Sequence, residues 1–434
     1  MKGHRVPVRP PGQTPGGIRR RLMDILDRPA IGGASPRSVT PMVQFQPAQA
    51  PYIRPGVVIH EPAAPVGGLL AEFALTLRER GFGVAGCVHH DGRLIDLTCG
   101  DTVEAGIGPW AARSFRAAMR DDADLVVIDD FAAFSSAARQ LLALIEPGQS
   151  FALPVLSAIP GDQLQPWLDF AGQGGTMVAP KMKALWQWWG PERLYRDLAL
   201  GVAHDEVRQI VCGPRWLMVQ GPAGAGLAYL PRSARELLAR VPALRKQSLH
   251  DLAQLSASWD PLEMAVGIAA INAHYNRFDL EADMGNGADA FGSQAGRVVV
   301  IGAFPGLSDV LDKPQVIEAE PRPGEYPTVA MDTLLPGCAA AVVASSTVIN
   351  RTLPRILRLA QGSRVALVGP ATPLSPRLYH YGLEVLGGLV VADATGLAEA
   401  VQAGAQPREF SRFGNYRHIR HGRETTPECN YRAF

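Results

Sequence analysis

The sequence has 434 residues, with 42 Lys and Arg against 41 Asp and Glu, so its formal net charge is +1. This balance excludes a protein whose whole surface is built to bind nucleic acid or an anionic membrane. Hydrophobic residues make up 47% and charged residues 19%, which is typical of a globular protein of about two to three domains. No apolar run is long enough for a transmembrane helix, and five cysteines without a CxxC pair favour a reducing, cytoplasmic compartment.

The charge is unevenly distributed along the chain. Residues 1–55 carry a net charge of +7 and ten of the 36 prolines, residues 405–434 carry +3, and residues 56–404 carry −9. We interpret 1–55 as a disordered basic arm without a secretory signal, and 405–434 as a basic tail. The arm is either a solvated tail or a docking segment for an acidic protein partner or nucleic acid, of which we expect the protein partner rather than nucleic acid.

Residues 56–190 alternate apolar strand patterns with helical patterns, which predicts an α/β domain with a parallel sheet. The predicted strands are 57–60, 83–88 and 124–129, and the predicted helices are 69–80 and 109–120. A strand, a glycine turn, a helix and a later strand ending in Asp129 is also the order of P-loop NTPases. The turn reads HEPAAPVGG, however, and lacks the Lys and the hydroxyl that hold phosphates and Mg²⁺.

Two blocks of this segment, GFGVAGCVHHDGRLIDL and DLVVIDDFAAF, resemble a bacterial domain of unassigned function that is similar to degenerate P-loop NTPases. That family occurs beside molybdenum and nitrogenase functions, so the resemblance implies a link to molybdenum or nitrogen-fixation metabolism.

Thiol and imidazole side chains gather at two places. Cys87 and His89 lie on the same face of a predicted strand, with His90 on the other, and could ligate a transition metal. In the tail, His418 and His421 could do the same together with the distant Cys429. The alternative at the strand is a set of polar strand-end residues without metal, and the alternative for the tail is disorder or docking. Likewise, Trp186 and Trp189 predict the buried face of a helix, with ligand stacking as the alternative.

Residues 191–285 predict a small α+β domain, because strands come first and helices follow. A hairpin is predicted over 207–220 and a third strand over 226–230. Asp260 as N-cap, Pro261 and Glu263 then mark the start of a helix. Within that helix, Asn272 lies one turn before Asn276, so the pair could contact a ligand at a domain boundary or bridge within the fold.

Residues 286–404 repeat strands and helices, which predicts a doubly wound parallel sheet. The predicted strands are 297–301, 315–319, 340–344, 365–368 and 388–391. Ligands of such sheets bind at the carboxyl ends of the strands, near the topological switch point. The residues predicted to bind a ligand there, with Asn272 contributing from the neighbouring domain, are Gly302, Phe304, Pro305, Glu318, Ser346, Thr347, Asn350, Gly369, Pro370 and Thr372.

A dinucleotide is only weakly indicated as the ligand. Glu318 stands 16 residues beyond Gly302, roughly where a ribose-binding acid would lie. The turn reads GAFPG, however, so Phe304 replaces a glycine of the dinucleotide motif. The alternative is that these residues are ordinary turns between strands and helices.

Residues 191–404 closely resemble a bacterial and archaeal family labelled "putative heavy-metal chelation". The blocks that carry the resemblance are SWDPLEMAVGIAAINAHYN, RVVVIGAFPG, VVASSTVINRTL and VGPATPLSPRLYHYG. The resemblance implies an enolase-N-terminal-like fold for the front half and a Rossmann-like fold for the back half. The family's acidic residue just before the third strand is replaced here by Cys338 or the alanines after it.

We therefore expect a cytoplasmic protein that binds or handles a metal, a metal complex or a small cofactor in molybdenum- or nitrogenase-type metabolism. The sequence contains no recognisable catalytic constellation, which favours a non-enzymatic role. The alternatives are an enzyme that uses a nucleotide or another cofactor in the same crevice, and a protein–protein adaptor. A homo-oligomer is compatible with all three.

Overall fold

The structure is a computed structural model, and it describes residues 54–61, 66–90, 92–103, 123–131, 154–171, 175–304 and 306–422. The arm up to residue 53, the predicted helix over 109–120, Pro305 and the tail beyond residue 422 lie outside these ranges. The predicted α/β class with parallel sheets is confirmed. Every helix in the described ranges is too short or too polar to span a lipid bilayer.

The first described sheet has six strands in the order β3-β2-β4-β5-β1-β6, with β3 antiparallel to β2 and the remaining pairs parallel. Its strands are β1 (Gly56–His60), β2 (Val84–His90), β3 (Arg93–Asp96), β4 (Leu125–Ile128), β5 (Val155–Pro160) and β6 (Thr176–Val178). The helices of this part are α1 (Val66–Glu79), α2 (Leu164–Ala171) and α3 (Met182–Trp189).

Burial follows the apolar periodicity in this part of the chain. In α1, Leu70, Phe73 and Leu77 recur at helical spacing and are fully buried. In α3, Trp186 and Trp189 are buried as predicted, so they belong to the core. Their rings meet the ring of Phe73 edge to face, which joins the two helices.

The middle part is a three-stranded antiparallel sheet covered by helices. Its elements are α4 (Leu194–Leu200), β7 (Gln209–Cys212), β8 (Trp216–Gln220), β9 (Ala225–Tyr229), α5 (Val241–Leu244), α6 (Leu249–Gln254) and α7 (Pro261–Tyr275). As predicted, the Asp260 carboxylate caps α7 by accepting hydrogen bonds from the backbone N–H groups of Leu262 (2.9 Å) and Glu263 (3.0 Å).

Helix α7 is buried along most of its length. It packs directly on β9, and a Cβ atom at Gly226 would lie 2.2 Å from the backbone oxygen of Ala269. Only glycine permits this approach between strand and helix.

The last part is built on a sheet of eight described strands in the order β10-β17-β16-β15-β14-β11-β12-β13. The strands are β10 (Asp283–Met284), β11 (Val298–Ile301), β12 (Gln315–Glu318), β13 (Tyr326–Pro327), β14 (Ala340–Ala344), β15 (Arg364–Val368), β16 (Val385–Val391) and β17 (Gly414–Arg420). The helices are α8 (Leu307–Val310), α9 (Met331–Leu334), α10 (Ser346–Ile349), α11 (Leu353–Leu359) and α12 (Ala394–Ala403).

Strands β11 to β16 are parallel, and the chain reverses direction across the sheet between β11 and β14. A crevice at the carboxyl ends of strands beside such a reversal is the usual ligand position in open α/β sheets.

One strand lies where the sequence suggested a tail. β17 pairs antiparallel with β16 along all seven residues, so the folded part continues beyond residue 405. Its sequence, GNYRHIR, mixes polar and apolar residues because the strand is only partly buried. That pattern hid it from a search for continuous apolar runs.

A buried carboxylate joins the first and last parts of the chain. Asp197 in α4 is fully buried, and its side chain accepts hydrogen bonds from Arg80 (2.5 Å), Arg377 (2.7 Å) and Tyr381 (2.9 Å). Arg80 follows α1, whereas Arg377 and Tyr381 lie in a 3-10 turn over Pro376–Tyr381.

Candidate functional site

A cavity of about 420 Å³ opens between the middle and last parts of the chain. One wall comes from α10 and the two residues after it, which follow the carboxyl end of β14. The opposite wall comes from the end of β9 and from the segment that enters α7. The lining residues are Tyr229, Pro231, Ser233, Ser258, Trp259, Pro261, Met264, Ser346, Ile349, Asn350 and Arg351.

Two of the residues predicted to bind a ligand, Ser346 and Asn350, line this cavity and are exposed. The backbone N–H of Ser345 donates to the oxygen of Val368 (2.8 Å), which fixes the start of α10 beside β15. The Asn350 Oδ1 accepts from the N–H (3.1 Å) and the hydroxyl (2.6 Å) of Thr352. The Asn350 Nδ2 has no hydrogen-bond partner among the described residues, so it is available to a ligand.

Arg351 holds a conformation that is rare for residues other than glycine, with φ at +59°. Its Nη2 donates to the backbone oxygens of Ser256 (2.8 Å) and Ser258 (2.6 Å). The guanidinium carbon also lies 4.6 Å from the ring centroid of Trp259 and 4.8 Å from that of Tyr195. These contacts from the middle part hold the strained residue in place.

Aromatic surface is exposed at the cavity. Trp259 is 56% exposed and Tyr229 is 37% exposed, although both are large hydrophobic residues. Exposed aromatic rings that line a cleft are a common feature of ligand sites, because they offer contact area at a low cost in side-chain entropy.

Asn272 and Thr372 lie outside this cavity and are fully buried. The Asn272 Nδ2 donates to the backbone oxygens of Leu227 (2.8 Å) and Ala371 (3.1 Å). The residue thereby anchors the loop after β15 to the middle part, which is the bridging alternative that the sequence left open.

Gly302, Phe304 and Glu318 lie at the ends of β11 and β12, and the 420 Å³ cavity does not reach them. Gly302 has φ at +83°, and a Cβ atom there would lie 2.6 Å from the Cβ of Ala344. The Glu318 Oε1 accepts from the backbone N–H of Ala303 (2.5 Å). Phe304 is half-buried and packs against the core. The Glu318 carboxylate, predicted to lie where an acid would bind a ribose, is thus hydrogen-bonded to the turn that follows β11.

The remaining predicted residues lie at the ends of β14 and β15, also outside the cavity lining. Thr347 is buried, and its hydroxyl donates to the backbone oxygen of Ala344 (2.7 Å). The N–H of Gly369 donates to the oxygen of Gly387 (2.9 Å), and Pro370 is half-buried.

The predicted thiol and imidazole groups differ in burial, since Cys87 is buried and His89 is exposed. Cys87 is buried, and burial raises the pKa of its thiol. The His89 Nδ1 lies 3.1 Å from the Asp129 Oδ1, at the neighbouring strand end. Over the described part of the chain, no three His, Cys, Asp or Glu side chains gather as a metal site would require.

The tail histidines also have ordinary surroundings. The His418 Nδ1 lies 3.3 Å from the backbone oxygen of Gly285, and the His421 ring packs 5.0 Å from that of Tyr379. Cys429 lies outside the described residues. Cys338 is buried, with its Sγ 3.3 Å from the Ser363 hydroxyl.

Sequence reasoning missed Arg351 and Trp259, although both stand inside the blocks that carry the family resemblance. Neither follows a strand directly, so the rule that directs attention to strand ends passes over them. The sequence does contain a signal for Trp259. A Trp immediately before the N-cap Asp260 lies outside the helix, so it does not belong to the buried face of that helix.

Family comparisons match the two parts that enclose the cavity. Residues 195–275 match the family DUF4213 and residues 289–420 match DUF364, and both families are described as "Putative heavy-metal chelation". Residues 109–188 match DUF2478, a family of proteins of unknown function. These matches support the resemblance to a heavy-metal chelation family.

Two solved structures of DUF364 proteins with unknown function are similar to this chain. One, from Desulfitobacterium hafniense, is 29% identical with a TM-score of 0.48, over 52% of this chain and 97% of that chain. The other, from Pyrococcus horikoshii, is 19% identical with a TM-score of 0.45, over 52% of this chain and 98% of that chain.

A curated relative is the molybdenum import ATP-binding protein ModC 2 of Bradyrhizobium diazoefficiens, which is 27% identical. The match covers 31% of this chain and spans 18% of the length of that relative.

Proposed function

We propose that the protein binds and handles a metal complex or a small cofactor, and that the cavity between the middle and last parts is its binding site. The single observation that carries the proposal is the position of this cavity. It lies between the two segments that match families described by heavy-metal chelation.

The strand order of the last part supports the proposal. Read from β13 to β16, the parallel strands follow the order of a Rossmann-like sheet, and β14 is one of the two strands at the reversal. The cavity lies at the carboxyl end of β14, where such sheets hold their ligands. Ser346 and Asn350 provide polar contacts there, and Trp259 provides a face for stacking.

A role in molybdenum metabolism is part of the proposal. Its support is the similarity of part of the chain to a molybdenum import ATP-binding protein. The resemblance of residues 56–190 to a degenerate P-loop domain found near molybdenum and nitrogenase functions agrees with that role.

The cavity can be tested by removing the exposed indole of Trp259. We expect wild-type protein purified from metal-replete cells to carry a metal or cofactor in near-stoichiometric amount. Trp259→Ala should lose most of it, because the stacking surface is gone. Phe278→Ala is the matched control, since Phe278 is 46% exposed and does not line the cavity. Mass spectrometry of metals and absorbance of extracted cofactors give the measurement.

Traces of every metal in the wild type, unchanged by Trp259→Ala, would contradict the proposal. Equal losses in Trp259→Ala and Phe278→Ala would show that the bound material does not occupy this cavity.

A further inference from the structure

The cavity has one charged lining residue, Arg351. Only the Nη2 of its guanidinium is used in hydrogen bonds, to two backbone oxygens and, at 3.4 Å, to the Met264 sulfur. Its Nε and Nη1 have no partner among the residues that the structure describes. A guanidinium with unused N–H donors can still donate charge-assisted hydrogen bonds to an anion.

No carboxylate of the described residues forms an ion pair with Arg351. The acids nearest to the cavity along the chain, Asp260 and Glu263, both bind Arg240 instead, with 2.6 Å between the Asp260 Oδ2 and the Arg240 Nη1. Burial of Arg351 lowers its pKa, and the neighbouring Tyr195 offsets this effect only in part. The positive charge is therefore only partly solvated and is compensated by rings and carbonyl oxygens alone.

The size and the walls of the cavity restrict the ligand further. A volume of about 420 Å³ falls within the roughly 300–1,000 Å³ range of small-molecule sites and exceeds the need of a single ion. The rings of Tyr229 and Trp259 and the two lining prolines, Pro231 and Pro261, provide flat apolar surface. None of the described residues that line the cavity is a His, Cys, Asp or Glu, so a bare metal cation would meet no strong ligand among them.

We infer that the cavity binds an organic anion with a flat unsaturated part, such as an aromatic carboxylate, and that Arg351 binds its negative charge. The inference rests on the proposed function and names the chemistry of its ligand. A metal would then enter the cavity already held by the carboxylates of such a chelator, and the protein would contact the chelator.

The test compares carboxylates with neutral molecules of the same shape. The probes are benzoate, phthalate and pyridine-2,6-dicarboxylate, each paired with its carboxamide, and binding is measured by calorimetry and ligand-observed NMR. We expect the wild type to bind the carboxylates about tenfold or more tightly than the carboxamides, since hydrogen bonds between charged groups are the stronger.

Arg351→Gln should weaken carboxylate binding by a similar factor and leave carboxamide binding unchanged, whereas Arg351→Lys should retain part of the preference. Arg355→Gln is the control, because Arg355 lies in α11, pairs with Asp332 and does not line the cavity. A thermal melt of each variant reports whether it folds. Should Arg351→Gln fail to fold, the wild type still tests whether the cavity prefers an anion, because each carboxylate is compared with its carboxamide.

Equal affinity for carboxylates and carboxamides would overturn the inference. If that binding is lost in Trp259→Ala, the proposed function survives and only the anionic character of the ligand is wrong. Absence of carboxylate binding to the wild type at millimolar concentration, or an unchanged affinity in Arg351→Gln, would also overturn the inference.

Discussion

His274 illustrates how burial in α7 governs a single ionisable side chain. Only 6% of the residue is exposed, and burial lowers the pKa of its imidazole to about 4. Its ordinary pKa is about 6.5, so between these two values the unfolded chain binds more protons than the folded chain. Protonation therefore favours unfolding as the pH falls through this range.

We expect the free energy of unfolding to fall as the pH is lowered from about 6.5 to about 4, and His274→Gln to reduce that slope. The contribution of one such histidine is at most about 1.4 kcal/mol per pH unit. His380, whose pKa is also lowered to about 4 by burial, keeps its own contribution in the variant. Urea denaturation at a series of pH values measures the slope.

The control is Phe278→Ala, a change at an exposed residue without an ionisable group, which should leave the slope as it is in the wild type. The same slope in the wild type and in His274→Gln would show that His274 is not responsible.

Single residues also show which contacts can be predicted from the sequence and which cannot. The N-cap Asp260 could be predicted because its partners stand two and three residues away. The role of Asn276 could not be decided from the sequence. Its Nδ2 donates to the backbone oxygens of Thr372 (3.0 Å) and Leu389 (3.2 Å), which are distant along the chain. Arg351 was missed for the same reason, because its partners precede it by more than 90 residues. Contacts between residues that meet only in the folded chain leave no local pattern in the sequence.

At the scale of elements, strand β17 protects the edge of the parallel strands in the last sheet. It pairs with β16, whose sequence VLGGLVV is buried throughout. The Glu384 carboxylate accepts from Arg420 of this strand (2.9 Å) and from Arg364 of β15 (2.8 Å). Without β17, an apolar strand with unpaired backbone groups would become exposed, and such strands promote aggregation.

We therefore expect a protein truncated after Phe413 to aggregate, and a protein truncated after Gly422 to remain soluble and monodisperse. Size-exclusion chromatography with light scattering distinguishes the two outcomes. If the two truncated proteins behave alike, β17 does not protect the sheet.

Elements were predictable where burial leaves a simple pattern. The continuous apolar runs of β4, β11 and β14 predict buried strands, and the structure confirms these strands. β3 and β17 lie at or near sheet edges with mixed sequences, so their burial patterns are irregular and no period identifies them.

At the scale of the whole molecule, Asp197 holds distant parts of the chain together. Removing one partner of a buried charge network leaves other charges uncompensated, at a cost of roughly 3–5 kcal/mol. We expect Asp197→Asn to lower the free energy of unfolding by that amount, since Arg80 and Arg377 would then share a neutral amide. Urea denaturation followed by tryptophan fluorescence measures the loss.

Asp332→Asn is the matched control, because Asp332 pairs with Arg355 at the surface and both side chains are more than half exposed. It should cost less than about 1 kcal/mol. Similar losses in Asp197→Asn and Asp332→Asn would contradict a structural role for the buried carboxylate.

The cavity belongs to the scale of the whole molecule, and this explains why the sequence indicated only part of it. Strand ends within one sheet can be inferred from chain order, which led to Ser346 and Asn350. The opposite wall, with Tyr229 and Trp259, depends on how two parts of the chain dock. Docking is set by three-dimensional packing, which strand and helix patterns do not encode.

The burial of α7 has a consequence for how the protein can be divided. Its residues contact β8 and β9 of the middle part and α10 of the last part, and most of them are buried. Expressed alone, a fragment ending after α7 would present the apolar surface that normally contacts α10. The middle and last parts are thus not interchangeable modules, and any recombination, fusion or domain swap that keeps the fold must carry both together.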